Sequence, residues 1–252
     1  MRRHYEAIGG ASPLTEITSR QADALSARLG PDVPVAVGMR NWRPFIAEAL
    51  AQLGALGVER TIGIPMAPQF STLSVQKYVD AATAALPNGM TFTAVHSFHA
   101  HPLLLDAFAE RVRDAAPARD ELVVFTAHSL PVRVIEGGDR YVDEVAATAR
   151  GVAERVGLGP YESAYQSAGR TPEPWIGPDL GESITRRSAA GIRRFLAVPI
   201  GFVCDHMEIL FDIDIQAAAI ARESGATLRR TESLNTSPTF ISMLEDLVRQ
   251  RL

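Results

Sequence analysis

Cysteine is almost missing from this chain of 252 residues, in which Cys204 is the only one. One thiol cannot form an internal disulfide, nor can it supply an all-cysteine zinc site or an iron–sulfur cluster within one chain. The first residues also lack the apolar run of a secretory signal. We therefore expect a cytoplasmic protein with no iron–sulfur cluster.

Long apolar runs and a strong net charge are lacking as well. Charged residues, glycine or proline interrupt the apolar stretches, and none reaches the ~18 residues of a membrane span. The formal net charge of −4 provides no basic surface for nucleic acid. Because 46% of the residues are hydrophobic and 21% are charged, the composition is typical of a globular protein. We expect neither a membrane nor a nucleic-acid partner.

Apolar runs of strand length alternate with amphipathic stretches of helix length. The predicted strands are Val33–Met39, Thr61–Met66, Thr91–Ser97, Leu122–Ala127, Tyr161–Gln166 and Arg194–Phe202. The predicted helices are Leu14–Leu29, Trp42–Leu56, Ser71–Leu86, Pro102–Ala116, Asp139–Val156, Asp205–Ser224 and Pro238–Leu252. This alternation predicts an α/β protein with parallel sheets, which the segment Ala115–Asp120 divides into two lobes.

Ligands of open α/β sheets bind beyond the carboxyl ends of the strands. No G-x-G-x-x-G or Walker loop occurs at any strand-to-helix junction of this sequence, which argues against a nucleotide cofactor. One junction holds His128, in the segment AHSLP after a buried strand. A neutral imidazole there can accept a proton or bind a metal, although a histidine at a strand end is also often simply hydrogen bonded.

Another junction, VPIGFVCDHMEILFDID at Val198–Asp214, runs from a strand into a helix for which Asp205 is a suitable N-cap. Glu208 and Asp212 are four residues apart and share one helix face. Like charges at that spacing repel each other, so a metal ion, a positive partner or bound protons should compensate them. The alternative is a solvated acidic face, which the apolar residues between the acids make less favourable.

Two further segments carry polar chemistry. The stiff loop within YQSAGRTPEPWIGPDL, at Tyr165–Leu180, either forms a pocket wall or is purely structural. His96, His99 and His101 have a spacing that a metal could use, but the segment straddles a strand end, and we do not expect the three side chains to converge.

These segments together resemble the signature segments of ferrochelatases. The resemblance includes AHSLP, the Tyr165–Leu180 and Val198–Asp214 segments, YEAIGGASPL at Tyr5–Leu14 and PMAPQFSTLSVQKY at Pro65–Tyr78. The ending SLNTSPTFI, at Ser233–Ile241, matches as well. The order and spacing agree along nearly the whole chain, and the sequence is most similar to the bacterial enzymes that metallate coproporphyrin III.

The resemblance implies two Rossmann-like lobes that face a cleft, and the insertion of Fe²⁺ into a porphyrin without a bound organic cofactor. The lobes would comprise residues 1–117 and 118–237, with a C-terminal helix at 238–252 that packs back on the first lobe. His128 corresponds to the family's catalytic histidine, Glu208 to the carboxylate across the cleft, and Asp212 to the next acid outward. His128 and Glu208 would also contact the metal. The porphyrin-contacting positions are His4, Tyr5, Ser12 and His99.

The sequence also departs from the family's pattern. Gln69 stands where many relatives have histidine, and Gln216 where the acidic row often has a third carboxylate. His4 and His99 stand where arginine and tyrosine are common. The family's first strand, which would precede YEAIGG, is not in the sequence, so we expect an internal start or a shortened chain. A monomer is expected, with a dimer as the alternative if an open sheet edge pairs.

Three functions remain open at this point. An active coproporphyrin ferrochelatase is favoured by His128 and Glu208. A non-catalytic porphyrin- or haem-binding protein is favoured by the missing N-terminal strand. A chelatase for another metal or tetrapyrrole is the third.

Overall fold

The structure is a computed structural model that describes residues 2–169 and 171–252, apart from the side chains of Arg2 and Arg3. Arg170, which belongs to the Tyr165–Leu180 segment, lies outside the described residues. The strands are β1 (Arg60–Gly63), β2 (Thr91–Ala94), β3 (Glu121–His128), β4 (Tyr161–Gln166), β5 (Arg194–Val198) and β6 (Thr227–Arg230).

Helices connect and flank these strands. They are α1 (Arg2–Ala7), α2 (Leu14–Leu29), α3 (Ile46–Ala55), α4 (Val75–Ala84), α5 (Pro102–Ala115), α6 (Val132–Glu136), α7 (Tyr141–Val156), α8 (Leu180–Ala189), a π-helix (Ile209–Ala217) that continues as α9 (Ala218–Glu223), and α10 (Pro238–Arg249). In the part of the chain that the structure describes, no helix is long and apolar enough to cross a membrane.

The strands form two parallel sheets, as the alternating pattern predicts. β1 pairs with β2, and the larger sheet has the order β4-β3-β5-β6. β3 is central because its residues are apolar on both faces, and Val123, Val124 and Phe125 are almost fully buried. The register sets His128, at the end of β3, beside Gln166, at the end of β4. The predicted α/β class with parallel sheets and flanking helices is confirmed.

One hydrophobic core extends across the predicted boundary at residue 117. It includes Phe108 on α5, Phe125 on β3 and Val152 on α7. Phe240 and Leu244 of α10 belong to the same core, and α10 packs against both α2 and α5. The apolar side chains of the last helix are therefore integral to the packing of the first one hundred residues.

The segment 33–39, predicted as a strand, is not one. Its backbone hydrogen bonds lie at its two ends. Val33 N–H donates to the Gly30 carbonyl at 3.4 Å. Met39 forms one isolated bridge, in which its N–H donates to the Pro44 carbonyl at 2.7 Å and its carbonyl accepts from Ile46 N–H at 3.1 Å. Val35 packs against the large core and Ala36 against a smaller one. The apolar character of this segment reflects burial on two sides, and a strand also needs a hydrogen-bonded neighbour.

The helix predicted from Asp205 also differs. Helical structure begins at Met207, and the middle of the segment is a π-helix. Asp205 is not the N-cap, because its carboxylate accepts hydrogen bonds from Ser233 and Asn235 and pairs with Arg230 at 3.0 Å. These partners, at the end of β6 and in the segment after it, hold the aspartate away from the helix start.

Candidate active site

His128 projects from the carboxyl end of β3, where the chain leaves the sheet. The backbone N–H of the next residue, Ser129, donates to the carbonyl of Gln166 at 2.7 Å, so the turn after β3 is tied to the end of β4. The imidazole Nδ1 contacts the Ser129 carbonyl oxygen. Since a carbonyl only accepts, Nδ1 carries a proton there, and a neutral ring then presents a free lone pair at Nε2.

Glu208 faces that nitrogen from the start of the helical segment after β5. Its Oε2 lies 3.8 Å from His128 Nε2 and 3.5 Å from His206 Nε2. Burial alone would raise the pKa of Glu208, but the hydrogen bond from His206 and the charges of His128 and His206 outweigh it, so the pKa lies below its usual value. The His128 and Glu208 side chains are each 32% exposed, so a ligand can reach both.

Asp212 lies one turn further along, within the π-helix. π-helical turns are rare and often occur at functional sites, and here the wider turn still leaves Glu208 and Asp212 near each other. Burial raises the pKa of Asp212; the hydrogen bond from Ser167 opposes this rise and the charge of Glu208 adds to it. The two acids therefore differ, because their surroundings lower the pKa of Glu208 and raise that of Asp212.

The N-terminal residues reach the same helix. The His4 ring stacks on Phe211 with 3.9 Å between ring centroids, which sets α1 beside Asp212. The Tyr5 side chain is 36% exposed, and its carbonyl accepts from Gly10 N–H at 2.7 Å. The Ser12 hydroxyl accepts from the N–H of Leu14, the first residue of α2, at 3.3 Å. His4 is thus brought to the acidic row, and Tyr5 lies next to it in sequence.

The histidines after β2 do not converge. His99 Nδ1 contacts the Ser97 hydroxyl at 2.8 Å and the Glu144 carboxylate at 3.2 Å, whereas His101 begins α5 and binds Asp246 at 3.0 Å. His96 is exposed. Within residues 2–169 and 171–252, no three His, Cys, Asp or Glu side chains are grouped to hold a metal ion.

Sequence reasoning missed four neighbours of this site: His206, Gln166, Ser167 and Tyr141. His206 was visible in the same segment as Glu208, two residues away. Gln166 and Ser167 end β4 beside His128, a relation that only the strand register reveals. Tyr141 is buried at the start of α7 close to the His128 backbone, and burial raises its pKa.

Comparison with known proteins agrees with this geometry. The family model described as Ferrochelatase matches residues 1–252. The chain belongs to the ferrochelatase family. Ferrochelatases are lyases that insert ferrous iron, their substrate, into a porphyrin.

Curated relatives of this ferrochelatase-family chain cover nearly all of it. A protein named Ferrochelatase from Deinococcus radiodurans is 42% identical, over 98% of this chain and 83% of its own length. A Coproporphyrin III ferrochelatase from Geobacillus sp. is 36% identical, over 100% of this chain and 86% of its own.

Two solved structures have the same fold at low sequence identity. SirB from Bacillus subtilis with Fe³⁺ superimposes with a TM-score of 0.67 at 13% identity, over 93% of this chain and 88% of its own. CbiX, titled the terminal enzyme for siroheme biosynthesis in denitrifying bacteria, has a TM-score of 0.60 at 13% identity, over 95% of this chain and 94% of its own. The Rossmann-like chelatase fold is thereby confirmed.

Proposed function

We propose that this chain inserts Fe²⁺ into coproporphyrin III as a step of haem biosynthesis. Several relatives bear the name Coproporphyrin III ferrochelatase at 36% identity over the full chain. The observation that carries the proposal is the pair His128 and Glu208, a nitrogen base and an ionised carboxylate that face each other at 3.8 Å and are both reachable.

The chemistry of metal insertion requires two kinds of group. Two pyrrole protons must leave the macrocycle, and a divalent ion must exchange its water ligands for four nitrogens. His128 Nε2 can accept a proton because Nδ1 is already protonated against the Ser129 carbonyl. Glu208 supplies negative charge next to it, and imidazole nitrogen and carboxylate oxygen are both suitable donors for iron(II).

Asp212 extends the acidic row away from His128. Burial raises the pKa of Asp212, whereas the pKa of Glu208 lies below its usual value. We propose that protons leave through Glu208 and then Asp212, since the two carboxylates follow each other along one helix face and Asp212 lies further from His128.

The porphyrin-binding part of the proposal rests on residues near α1. We propose that His4, Tyr5 and Ser12 contact the macrocycle or its propionates, supported by the stacking of His4 on Phe211 next to Asp212. We assign His99 a contact only through Nε2, because its Nδ1 is bound by Ser97 and Glu144.

The proposal also retains the predicted organisation. It comprises lobes at 1–117 and 118–237, a C-terminal helix at 238–252, a monomer, and a cytoplasmic location. The packing of α10 against α2 and α5 supports the role of the helix, and the lone buried Cys204 suits a reducing compartment. Light scattering coupled to gel filtration tests the monomer, and a mass of two chains would contradict it.

An anaerobic absorbance assay tests the reaction itself. Protein, Fe²⁺ and coproporphyrin III are mixed without detergent, and protoporphyrin IX is supplied in a matched reaction. We expect the spectrum of the free-base porphyrin to change to that of iron coproporphyrin, and coproporphyrin to react faster. Faster turnover of protoporphyrin would overturn the substrate assignment. Porphyrin binding without metal insertion would overturn the enzyme and indicate a binding protein.

Substitution of the facing pair tests the site. His128→Ala removes the base, and Glu208→Gln removes the charge at constant size. We expect each to lower kcat by at least ~10²-fold, the usual contribution of a positioned acid or base. The double variant should be little worse than either single variant, because the two groups serve one reaction. A folded single variant with near-normal kcat would remove that residue from the mechanism.

A further inference from the structure

The end of β4 contacts both parts of the proposed site, the turn that carries His128 and the segment that carries Glu208. Gln166 is the register partner of His128 in the β3–β4 ladder, so the two side chains emerge on the same face of the sheet. The Gln166 carbonyl accepts the N–H of Ser129 at 2.7 Å, the same residue whose own carbonyl contacts the imidazole of His128. The backbone of Gln166 therefore supports the tautomer and direction of the histidine ring.

The side chain of Gln166 reaches the segment that carries Glu208. Its Nε2 donates to the main-chain carbonyl of Glu208 at 3.4 Å. One residue therefore binds the turn that carries His128 and the backbone that carries Glu208. The residue after it, Ser167, donates to the carboxylate of Asp212, so the end of β4 contacts both successive acids of the row.

Gln166 is 3% exposed, and its Oε1 is a buried oxygen to which no described group donates. The residue is too enclosed to be a surface contact, and a buried acceptor without a partner does not favour folding. An apolar side chain of the same size would fill this position without the free-energy cost of a buried, unpartnered acceptor. The amide is therefore best explained by its donor, which holds the main chain at Glu208.

We propose that Gln166 is a positioning residue that sets the separation between His128 and Glu208. This inference rests on the proposed metal insertion. The amide does not need to touch iron or porphyrin, because it acts through the two groups that do. A reaction whose groups are displaced by about 1 Å can lose ~10²-fold in rate. Removal of the 3.4 Å hydrogen bond between Gln166 Nε2 and the Glu208 carbonyl would allow Glu208 such a displacement.

The principal variant is Gln166→Met, which keeps size and removes the donor. Gln21→Met is its matched control, because Gln21 is 2% exposed, has an unpartnered Oε1, and donates from Nε2 to the main-chain carbonyls of Asn235 at 2.8 Å and Val203 at 3.3 Å, neither of which belongs to the proposed site. We expect Gln166→Met to lower kcat ~10-fold or more with KM for coproporphyrin III changed less than ~3-fold. Gln21→Met should leave kcat near the wild-type value even if both variants lower the midpoint of thermal unfolding.

A double-variant cycle separates positioning from a general loss of structure. In the His128→Ala background, Gln166→Met should have almost no further effect on kcat, because the pair it aligns is already broken. A full additional loss in that background, or equal losses in Gln21→Met and Gln166→Met, would overturn the proposal. If Gln166→Met does not fold, Gln166→Thr, which is polar but too short for its hydroxyl to reach the Glu208 carbonyl, carries the same comparison, and unchanged kcat in it would also overturn the proposal.

Hydrogen exchange makes the test independent of the reaction. Amides of residues 207–213 and 126–132 should exchange faster in Gln166→Met than in wild type. In Gln21→Met, the exchange rates of these amides should equal those of the wild type. Unaltered exchange would overturn the positioning role. Failure of the wild-type protein to insert metal would instead overturn the proposed function, while the exchange result would still decide whether Gln166 holds the two segments.

Discussion

The two acids that follow β5, Glu208 and Asp212, have pKa values that are shifted in opposite directions. Glu208 is beside two histidines and its pKa is lowered, whereas Asp212 is buried beside a hydroxyl and another acid and its pKa is raised. The sequence shows two carboxylates on one helix face, but not that their partners come from β3 and from the end of β4. Sequence-based prediction can thus name the acids and cannot assign their protonation.

Asp212→Asn should affect metal insertion less than Glu208→Gln. Asparagine keeps the size of the side chain and an oxygen that can accept from Ser167, and the position is one turn further from His128. We expect kcat to fall ~10-fold or less, against at least ~10²-fold for Glu208→Gln. Single-turnover absorbance measurements at one pH decide this, and an equal loss in the two variants would place both acids at the same step.

The turn after β5 is an element that positions β3. Gly201 donates its N–H to the Thr126 carbonyl at 3.1 Å, and a Cβ at this glycine would lie 2.8 Å from both Cα and Cβ of Ala127. The turn therefore approaches the backbone just before His128 as closely as atoms permit. Only a residue without a side chain allows this approach.

Gly201→Ala should push the end of β3 outward. We expect a loss of about 1–3 kcal/mol in the free energy of unfolding, as for other overpacked positions, together with a lower kcat because His128 moves. Gly159→Ala is the control, since its Cβ would meet nothing within 4 Å. Urea unfolding and steady-state kinetics measure both effects, and a Gly201→Ala protein with the stability and kcat of Gly159→Ala would show that the contact relaxes without consequence.

The elements that the sequence predicts well are those with a strong repeating pattern. The other five predicted strands are present, often with shorter ends, because each is an apolar run between helices. β6 was missed because it is an edge strand that alternates exposed and half-buried residues, and α8 because it is short and polar. The π-helix could not be predicted, since its hydrogen bonding depends on packing and not on a 3.6-residue pattern.

Two carboxylates at the start of α7 connect distant parts of the molecule. Asp139 accepts from the N–H and hydroxyl of Thr72 at 2.7 and 2.9 Å. Glu144 accepts from Phe70 N–H and from the Ser97 hydroxyl, both at 2.7 Å. The two carboxylates therefore bind loops that follow β1 and β2, and this connects the smaller sheet to the helix that follows β3 and His128.

The Glu144 contacts predict a pH dependence of stability. Burial would raise the pKa of Glu144, but hydrogen bonds from His99, Phe70 N–H and Ser97 outweigh it, so the folded-state pKa lies below the ordinary 4.5. A lowered pKa stabilises the fold above the unfolded-state value, and this stabilisation is lost as the pH falls through the folded-state value. The temperature midpoint of unfolding should therefore fall as the pH is lowered below 4.5, and it should fall less steeply in Glu144→Gln than in the wild type.

The control for this pH series is Glu16→Gln, at a carboxylate that is 72% exposed. It should follow the wild-type curve. If Glu144→Gln also follows the wild-type curve, other carboxylates account for the acid sensitivity.

The place of α10 has a consequence for the order in which the protein is made. Its side chains Phe240, Met243 and Leu244 complete a core that includes residues from much earlier in the chain, such as Leu25 and Leu104. A ribosome reaches residues 238–249 only after every strand has been synthesised. The first helices must therefore keep apolar surface uncovered until residues 238–249 have emerged and cover it, so α2 and α5 acquire their native packing only after every described strand has been made.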